Sequence, residues 1–215
     1  MHRVVLIEDQ VMFRASLAVL LQSRFAGTQV IGEFDSGESF FAAAPKLGQI
    51  DLVLLDIQLP GEDGVSLAGR FEKELPGTKI ILLSSVRADY VLHRALQSGA
   101  DGYVHKDDPP ESLASAIDTV LGGGCYFGHT IQQLRRQMGV NPGCFNKVLS
   151  PKEQEVLEYL GQGLSNEEAA PILALSPETV QTHRRNIMRK LGLHNATQLQ
   201  SYALKHGFTT ISELR

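Results

Sequence analysis

Hydrophobic and polar positions follow two alternating periodicities along the first 121 residues. Short apolar runs bounded by glycine, proline or polar residues predict five β-strands, at residues 3–8, 29–34, 51–56, 79–84 and 101–105. Between them, apolar residues at helical spacing predict helices at about 11–24, 37–45, 65–74, 87–98 and 110–121. Strand 51–56 is apolar on both faces and is expected to be central. This alternation predicts an α/β fold, a parallel sheet with helices on both faces.

From Leu149 onward the pattern is helical only. The sequences Ser150-Pro151-Lys152-Glu153 and Ser165-Asn166-Glu167-Glu168 are capping boxes, and Ser176-Pro177 places proline at a first helical position. A weaker start follows at Asn195. These signals predict four helices joined by short turns, which form a small all-α domain that contains a helix-turn-helix.

A glycine-rich boundary separates the two patterns. Gly122-Gly123-Gly124 ends the last helix of the first pattern. We therefore expect one domain at residues 1–121, a linker at 122–147 and a second domain at 148–215. Within the linker, the sequence predicts one short helix at about 129–138.

Charge is divided unevenly between these modules. Residues 1–121 hold 17 acidic and 10 basic residues, whereas residues 149–215 hold seven of each, which suggests that the modules have different partners. The only cysteines, Cys125 and Cys144, fit a reducing cytoplasm better than a disulfide-stabilised secreted protein. No apolar stretch is long enough to span a bilayer, and no secretory signal precedes the first strand. We expect a cytoplasmic protein without a membrane partner.

Polar side chains stand at the ends of four predicted strands. Glu8 and Asp9 follow the first strand, Asp56 ends the third, Ser84 ends the fourth and Lys106 follows the fifth. The carboxyl ends of parallel strands share one edge of a sheet, and ligands bind there. Three carboxylates at one edge repel each other unless a cation joins them, and Mg²⁺ prefers such hard oxygen ligands. The pattern therefore predicts a site for Mg²⁺ and a phosphoryl group.

Each group has a role that this chemistry requires. Asp56 is the candidate nucleophile that accepts the phosphoryl group. Asp9 would ligate the metal directly and Glu8 directly or through water, with the backbone carbonyl of Gln58 as a further ligand. Lys106 and the Ser84 hydroxyl would contact phosphate oxygens. Taken singly, these residues are better explained as helix caps, a turn former and a solvated lysine, and their joint placement is what favours a site.

The same residues carry a resemblance to a known family. Glu8-Asp9, Ser84, Lys106 and the segment Asp56–Gly64 resemble the receiver domain of two-component response regulators over residues 3–121. The resemblance implies a doubly wound five-stranded parallel sheet of order 2-1-3-4-5, Mg²⁺, and phosphorylation of Asp56 by a sensor histidine kinase. It also implies that Tyr103 is an aromatic switch residue coupled to Ser84. Serine replaces the commoner threonine at position 84.

The helix predicted at 177–191 has two different faces. An apolar stripe is formed by Val180, His183, Ile187 and Leu191. The opposite side carries groups suited to base edges and phosphates, namely Gln181, Thr182, Arg185 and Arg189, with Arg184 at the margin. The face could be the solvated side of a helical bundle, or a recognition helix in the docking geometry of a helix-turn-helix.

Residues 148–208 resemble the LuxR-type helix-turn-helix. The resemblance is carried by Leu149–Glu153, Gly163–Glu168, Thr179–His183 and Lys190–Leu193. With the receiver, the whole chain resembles a NarL/FixJ-type response regulator, a transcription factor controlled by phosphorylation. This implies a homodimer, formed on phosphorylation or DNA binding through helix 196–206, that binds double-stranded promoter half-sites. The implied base contacts are Gln181, Thr182 and Arg185, and the implied phosphate contacts are Thr179, Arg184 and Lys190.

Departures from the family leave two other functions open. Lysine is usual where the chain has Glu167 and Gln181, arginine is common at Ala196, and Pro171 removes a helical hydrogen bond. Each charge difference removes a contact that would neutralise phosphate, so we expect weaker or more effector-dependent DNA binding. The helical domain could instead bind protein. A phosphatase of the haloacid dehalogenase type is a further alternative, but it needs a second acid where this chain has Gln58.

Overall fold

The computed structural model describes residues 1–128, 131–132, 136, 140 and 144–210. The chain folds into two compact units whose main boundary in the sequence lies after Ile131. The helix predicted at about 129–138 falls largely on residues outside this description. Within the described ranges, no helix combines the length and the apolar character needed to cross a bilayer.

The first unit is built on a parallel sheet. Its strands are β1 (His2–Ile7), β2 (Thr28–Phe34), β3 (Leu52–Asp56), β4 (Lys79–Ser84), β5 (Gly102–His105) and β6 (Tyr126–Phe127). They pair in the order β2-β1-β3-β4-β5-β6. The order predicted for the first five strands is therefore confirmed. All five residues of β3 are buried, as expected for a central strand.

Five helices connect the strands. They are α1 (Val11–Arg24), α2 (Gly37–Leu47), α3 (Gly64–Glu74), α4 (Asp89–Gln97) and α5 (Pro110–Leu121). Leu21 of α1 and Ile117 of α5 pack with Leu54 of β3 in one apolar cluster, which covers one face of the sheet. On α2 and α3, the buried rings of Phe40 and Phe71 meet edge to face at 5.0 Å between centroids. Every apolar strand therefore has a helical partner, which is what an α/β sheet requires.

The sixth strand was not predicted from the sequence. Tyr126 pairs with Gly102, and Phe127 pairs with Tyr103, in parallel register. The Tyr126 backbone N–H also donates to the Asp101 carbonyl at 2.9 Å. Glycine at position 102 suits this close approach, because a Cβ there would lie 3.3 Å from the Tyr126 carbonyl oxygen. The sheet thus extends into the segment expected to be linker.

The second unit is entirely helical in its described part. Its helices are α6 (Phe145–Val148), α7 (Pro151–Gly161), α8 (Asn166–Ile172), α9 (Pro177–Leu191) and α10 (Ala196–His206). The last four are the predicted helices, and the single turn α6 was not predicted. Their mutual contacts bury Val156, Leu157, Val180, Ile187 and Leu199.

Capping side chains fix where these helices begin. Ser150 and Ser165 form complete capping boxes with Glu153 and Glu168, as the sequence predicts. Ser176 and Asn195 accept hydrogen bonds from backbone N–H groups three residues ahead, at 3.2 and 2.8 Å. These bonds satisfy donors that the first turn of a helix leaves unpaired.

The turn between α8 and α9 has an unusual backbone conformation. Pro171 lies in α8, and the helix ends at the next residue, Ile172. Ala174 then adopts a positive φ of 53°. The Leu175 N–H returns to the Ala170 carbonyl at 2.9 Å, which closes the turn. Pro171 therefore sits at the end of a short helix.

Candidate functional site

The predicted carboxylates meet at one edge of the sheet. Asp56 is the last residue of β3, and Glu8 follows β1, its neighbour in the sheet. Both side chains are fully buried, whereas Asp9 is exposed. One carboxylate oxygen from each of these three residues lies within 4.8 Å of the other two. Strand order alone brings together acids that are far apart in the sequence.

Lys106 joins the two buried acids. Its Nζ atom is 2.8 Å from Glu8 Oε2 and 2.9 Å from Asp56 Oδ2. The ammonium also lies 4.7 Å from the centroid of the Phe13 ring on α1, a distance suited to a cation–π contact. The cluster therefore holds one ammonium and three carboxyl groups, so acids are in excess.

Burial opposes ionisation of this cluster. Desolvation raises the pKa of Asp56 above its usual range, and the hydrogen bond from Lys106 only partly offsets it. The pKa of Glu8 is raised for the same reason, again with Lys106 acting in the opposite direction. A further cation at this edge would favour the charged carboxylates.

The residues present fit a hard divalent cation. Glu8 Oε2 is buried, and the partner described for it is the Lys106 ammonium at 2.8 Å, which Asp56 shares. An oxygen in this state gains from a metal ion. The Gln58 backbone N–H donates to Asp56 Oδ1 at 3.1 Å, which places that residue beside the carboxylate. A set of oxygen donors with no sulfur or imidazole suits Mg²⁺.

Gly64 permits the close packing of α3 against the end of β3. A Cβ at this position would lie 1.9 Å from the Asp56 carbonyl oxygen. The Gly64 N–H also donates to the Ile57 carbonyl at 3.0 Å. The sequence motif ends at this glycine, but only the structure gives the steric reason for it.

Ser84 and Tyr103 share a single backbone acceptor. The Ser84 hydroxyl accepts from the Val86 N–H at 3.0 Å and donates to the Val86 carbonyl at 3.3 Å. The Tyr103 hydroxyl donates to the same carbonyl at 3.1 Å. The Tyr103 ring is buried, and burial raises its pKa to about 12. Movement of Ser84 or Tyr103 would therefore leave the Val86 carbonyl to the other hydroxyl.

The loop after β4 has a second attachment to β5. The Arg87 guanidinium lies 3.2 Å from His105 Nδ1 and 3.5 Å from Asp108 Oδ1. The Asp107 N–H also approaches His105 Nδ1, at 3.1 Å. Neither Arg87 nor the Val86 carbonyl was identified from the sequence, because a loop contact of this kind has no sequence pattern.

Helix α9 presents the predicted two-faced pattern. Val180 and Ile187 are fully buried, and His183 and Leu191 are partly buried. The face of α9 that is predicted to contact DNA is mostly exposed. Its exposed residues are Gln181, Thr182, Arg185 and Arg189, and Arg184 is partly buried. Four basic residues and one acid give this helix a charge of +3, although the predicted domain at 149–215 is neutral. The positive charge is thus concentrated on one helix.

Three of the predicted DNA contacts also have partners within the domain. Thr182 Oγ1 donates to the Glu178 carbonyl at 2.9 Å, and Thr179 Oγ1 lies 3.1 Å from the Ser176 hydroxyl. Both hydroxyls remain at exposed positions. Lys190 differs, because its Nζ atom is 2.7 Å from the buried carboxylate of Glu153.

Comparisons with known protein families identify both units. Residues 4–118 match the family described as response regulator receiver domain. Residues 147–203 match the luxR family of bacterial regulatory proteins. Together these two matches cover 172 of the 215 residues.

Individual relatives match over their full length. The Fimbriae Z protein of Salmonella typhimurium is 33% identical over 204 residues, which cover 94% of this chain and 96% of that one. The response regulator protein VraR of Staphylococcus aureus is 30% identical over 205 residues, which cover 95% and 97% of the two chains.

A solved structure supports the same grouping. RcsB from Salmonella enterica serovar Typhimurium, bound to the rprA promoter in the presence of the phosphomimetic BeF₃⁻, is 26% identical with a TM-score of 0.72. The match covers 94% of this chain and 97% of that chain. The chain therefore belongs to the NarL/FixJ-type response regulators, two-component transcriptional regulators that join a receiver domain to a LuxR-type DNA-binding domain.

Proposed function

We propose that Asp56 accepts a phosphoryl group from a sensor histidine kinase and thereby controls DNA binding by helix α9. The observation that carries this proposal is the burial of Asp56 beside Glu8, Asp9 and Lys106 at one sheet edge. The family to which the chain belongs is not one of metabolic enzymes. The chemistry proposed here is a single signalling transfer.

The transfer needs a carboxylate held in place and a neutralised phosphoryl group. An Asp56 carboxylate oxygen attacks phosphorus as the P–N bond to the kinase histidine breaks and its electron pair returns to the ring nitrogen. Lys106 and Ser84 would contact the phosphoryl oxygens. Lys106 already lies 2.9 Å from Asp56, whereas Ser84 must turn away from Val86 to take part.

Mg²⁺ would be held by Asp56, Asp9, Glu8 directly or through water, and the backbone carbonyl of Gln58. When bound it would supply positive charge against the phosphoryl oxygens and the clustered acids. The grouping of one carboxylate oxygen from each of Glu8, Asp9 and Asp56 within 4.8 Å supports this assignment.

Tyr103 is the proposed switch residue. Departure of Ser84 toward the phosphoryl group would vacate the shared Val86 carbonyl and the space beside it. The Tyr103 ring would then move inward, and the surface of the receiver would change. Two states with different contacts of this kind are what a phosphorylation switch requires.

In the proposed output, two copies of the chain meet and place paired α9 helices in successive half-sites of promoter DNA. Gln181, Thr182 and Arg185 would contact base edges. Thr179, Arg184 and Lys190 were the predicted phosphate contacts. Helix α10 would supply the homodimer contact. Residues 1–121 and 148–215 would act as the receiver and the DNA-binding domain, in the cytoplasm.

Phosphorylation is tested by intact-mass measurement after incubation with a small phosphodonor and Mg²⁺. Wild type should gain one phosphoryl group, and chelation of Mg²⁺ should abolish the gain. Asp56→Asn should gain none, whereas Asp118→Asn, which changes an exposed carboxylate on α5, should behave as wild type. Equal labelling of Asp56→Asn and wild type would refute the phosphoacceptor assignment.

DNA control is tested by selecting duplexes from a random pool with and without beryllofluoride. Enrichment should be stronger with beryllofluoride, and sizing should show a dimer under the same conditions. Arg185→Ala should relax specificity at one base position, while Arg184→Ala should weaken all duplexes alike. Failure to enrich any duplex, with no dependence on salt, would favour the protein-binding alternative for residues 149–215.

A further inference from the structure

Lys190 forms an ion pair within its own domain, in the last turn of the recognition helix α9. Its Nζ atom lies 2.7 Å from Glu153 Oε2. The Glu153 side chain is 5% exposed and that of Lys190 is 35% exposed. The contact thus connects the last turn of α9 to the first turn of α7.

Glu153 makes a second interaction through the same oxygen. Its Oε2 atom also accepts the backbone N–H of Ser150 at 2.7 Å, and its own N–H donates to the Ser150 hydroxyl at 3.3 Å. These bonds form the capping box that begins α7. Lys190 therefore binds a carboxylate that the cap already holds in one position.

The contact with Lys190 also affects the ionisation of Glu153. Burial acts to raise the pKa of Glu153, but hydrogen bonds from Lys190 and Ser150 outweigh it and hold the pKa below its usual range. Removal of Lys190 would leave a buried carboxylate with only its backbone donors. Groups in that state cost free energy, so the helices would shift to admit water or another cation.

The other basic residues of α9 are differently placed. Arg189 reaches only Asn186, on its own helix, at 3.3 Å. The ion pairs described within this domain, Lys152–Glu155 and Lys190–Glu153, involve neither Arg184 nor Arg185. Those arginines are available to DNA, whereas Lys190 is committed to Glu153.

We propose that Lys190 is a positioning residue, which holds the C-terminal end of the recognition helix on α7 through the capping carboxylate of Glu153, and is not a phosphate contact. This refines the proposed DNA interface and rests on α9 being the recognition helix. Because α9 packs against α7 at this point, the pair helps to set the angle at which Gln181 and Arg185 meet base edges.

Two variants remove the pair in different ways. Lys190→Met keeps the length of the side chain and removes its charge. Glu153→Gln keeps an oxygen that can accept from the Ser150 N–H, so the cap survives while the ion pair is lost. Lys190→Arg is the rescue variant, and Arg184→Met is the control for loss of a phosphate contact.

The measurement is the affinity of the full chain, activated with beryllofluoride, for the duplex selected by wild type and for a random duplex, each over a range of salt concentrations. Lys190→Met and Glu153→Gln should each weaken the selected duplex by about tenfold and leave the random duplex unchanged. The slope of log affinity against log salt should stay at the wild-type value. The double variant should be no weaker than either single variant, and Lys190→Arg should bind nearly as wild type does.

Arg184→Met should instead reduce the salt slope by about one and weaken both duplexes. A reduced salt slope and weaker binding of both duplexes by Lys190→Met, with wild-type affinity in Glu153→Gln, would show that Lys190 contacts phosphate. That result would overturn the proposal. Lower thermal stability in both variants with unchanged affinity would also overturn it, since the pair would then affect folding alone. If wild type itself selects no duplex, the recognition-helix assignment fails first, and that result is separate from the others.

Discussion

Replacement of Gly64 by alanine should destabilise the receiver through one backbone contact. The added Cβ would lie 1.9 Å from the Asp56 carbonyl oxygen and 3.0 Å from the Ile57 Cα. Ordinary contacts of this type are about 3.5 Å, so the start of α3 or the end of β3 must move by roughly 1.5 Å. Both obstructing groups are backbone atoms and have no rotamer to adopt.

The cost follows from that geometry. Overpacked cores lose about 1–3 kcal/mol when side chains can adjust. Because backbone must move here, we expect a loss of about 3 kcal/mol or more. The displaced residue is Asp56, the proposed phosphoacceptor, so binding of beryllofluoride should weaken and the free energy of unfolding should fall.

Gly69 provides the matched control on the same helix. A Cβ at Gly69 would meet no atom within 4 Å. Gly69→Ala should therefore stabilise α3 by about 0.5–1 kcal/mol, because glycine is a poor helix former. Urea unfolding of the receiver, followed by circular dichroism, gives both values. Equal stability of Gly64→Ala and wild type, or the same shift in both variants, would refute the steric argument.

Three further predictions concern the other features. Ala174→Gly should stabilise the helical unit by about 1 kcal/mol, because alanine is strained at a φ of 53°; a loss of stability in urea would contradict this. The pKa of Glu153 is lowered by folding, so the stability that wild type gains over Glu153→Gln should be full above pH 4.5 and decline as pH falls through the folded value. A difference that grows on acidification would reverse the assigned sign. Mg²⁺ at about 100 times its dissociation constant should stabilise the wild-type receiver by about 2.7 kcal/mol, and Asp56→Asn, which relieves a buried charge, should respond much less in a thermal melt.

Strand ends were the most informative part of the sequence for the site. Apolar runs predicted the first five strands within a few residues. In β1, β3, β4 and β5, burial on both faces leaves a continuous apolar signal, whereas the edge strand β2 is mostly half-buried or exposed. Parallel pairing then required Glu8, Asp56 and Lys106 to share an edge. The Lys106 Nζ atom lies 2.8 Å from Glu8 Oε2 and 2.9 Å from Asp56 Oδ2, in agreement with that requirement.

Features that depend on tertiary packing were not predictable. Two residues are too short to show the period of a strand, so Tyr126–Phe127 was assigned to the linker. The Val86 carbonyl is a backbone group, so the residue type does not indicate that it accepts these hydrogen bonds. The resemblance implies that Lys190 contacts phosphate, and nothing in its spacing indicated that Glu153 lies beside it.

The pairing of Tyr126–Phe127 with β5 bears on how this protein can be divided for experiments. A fragment cut at residue 121 would retain every phosphorylation group yet leave the outer side of Gly102 and Tyr103 bare, open to a strand from another molecule. Self-association of such a fragment would then result from the truncation and not from phosphorylation. A truncated receiver should therefore keep the chain through Gly128.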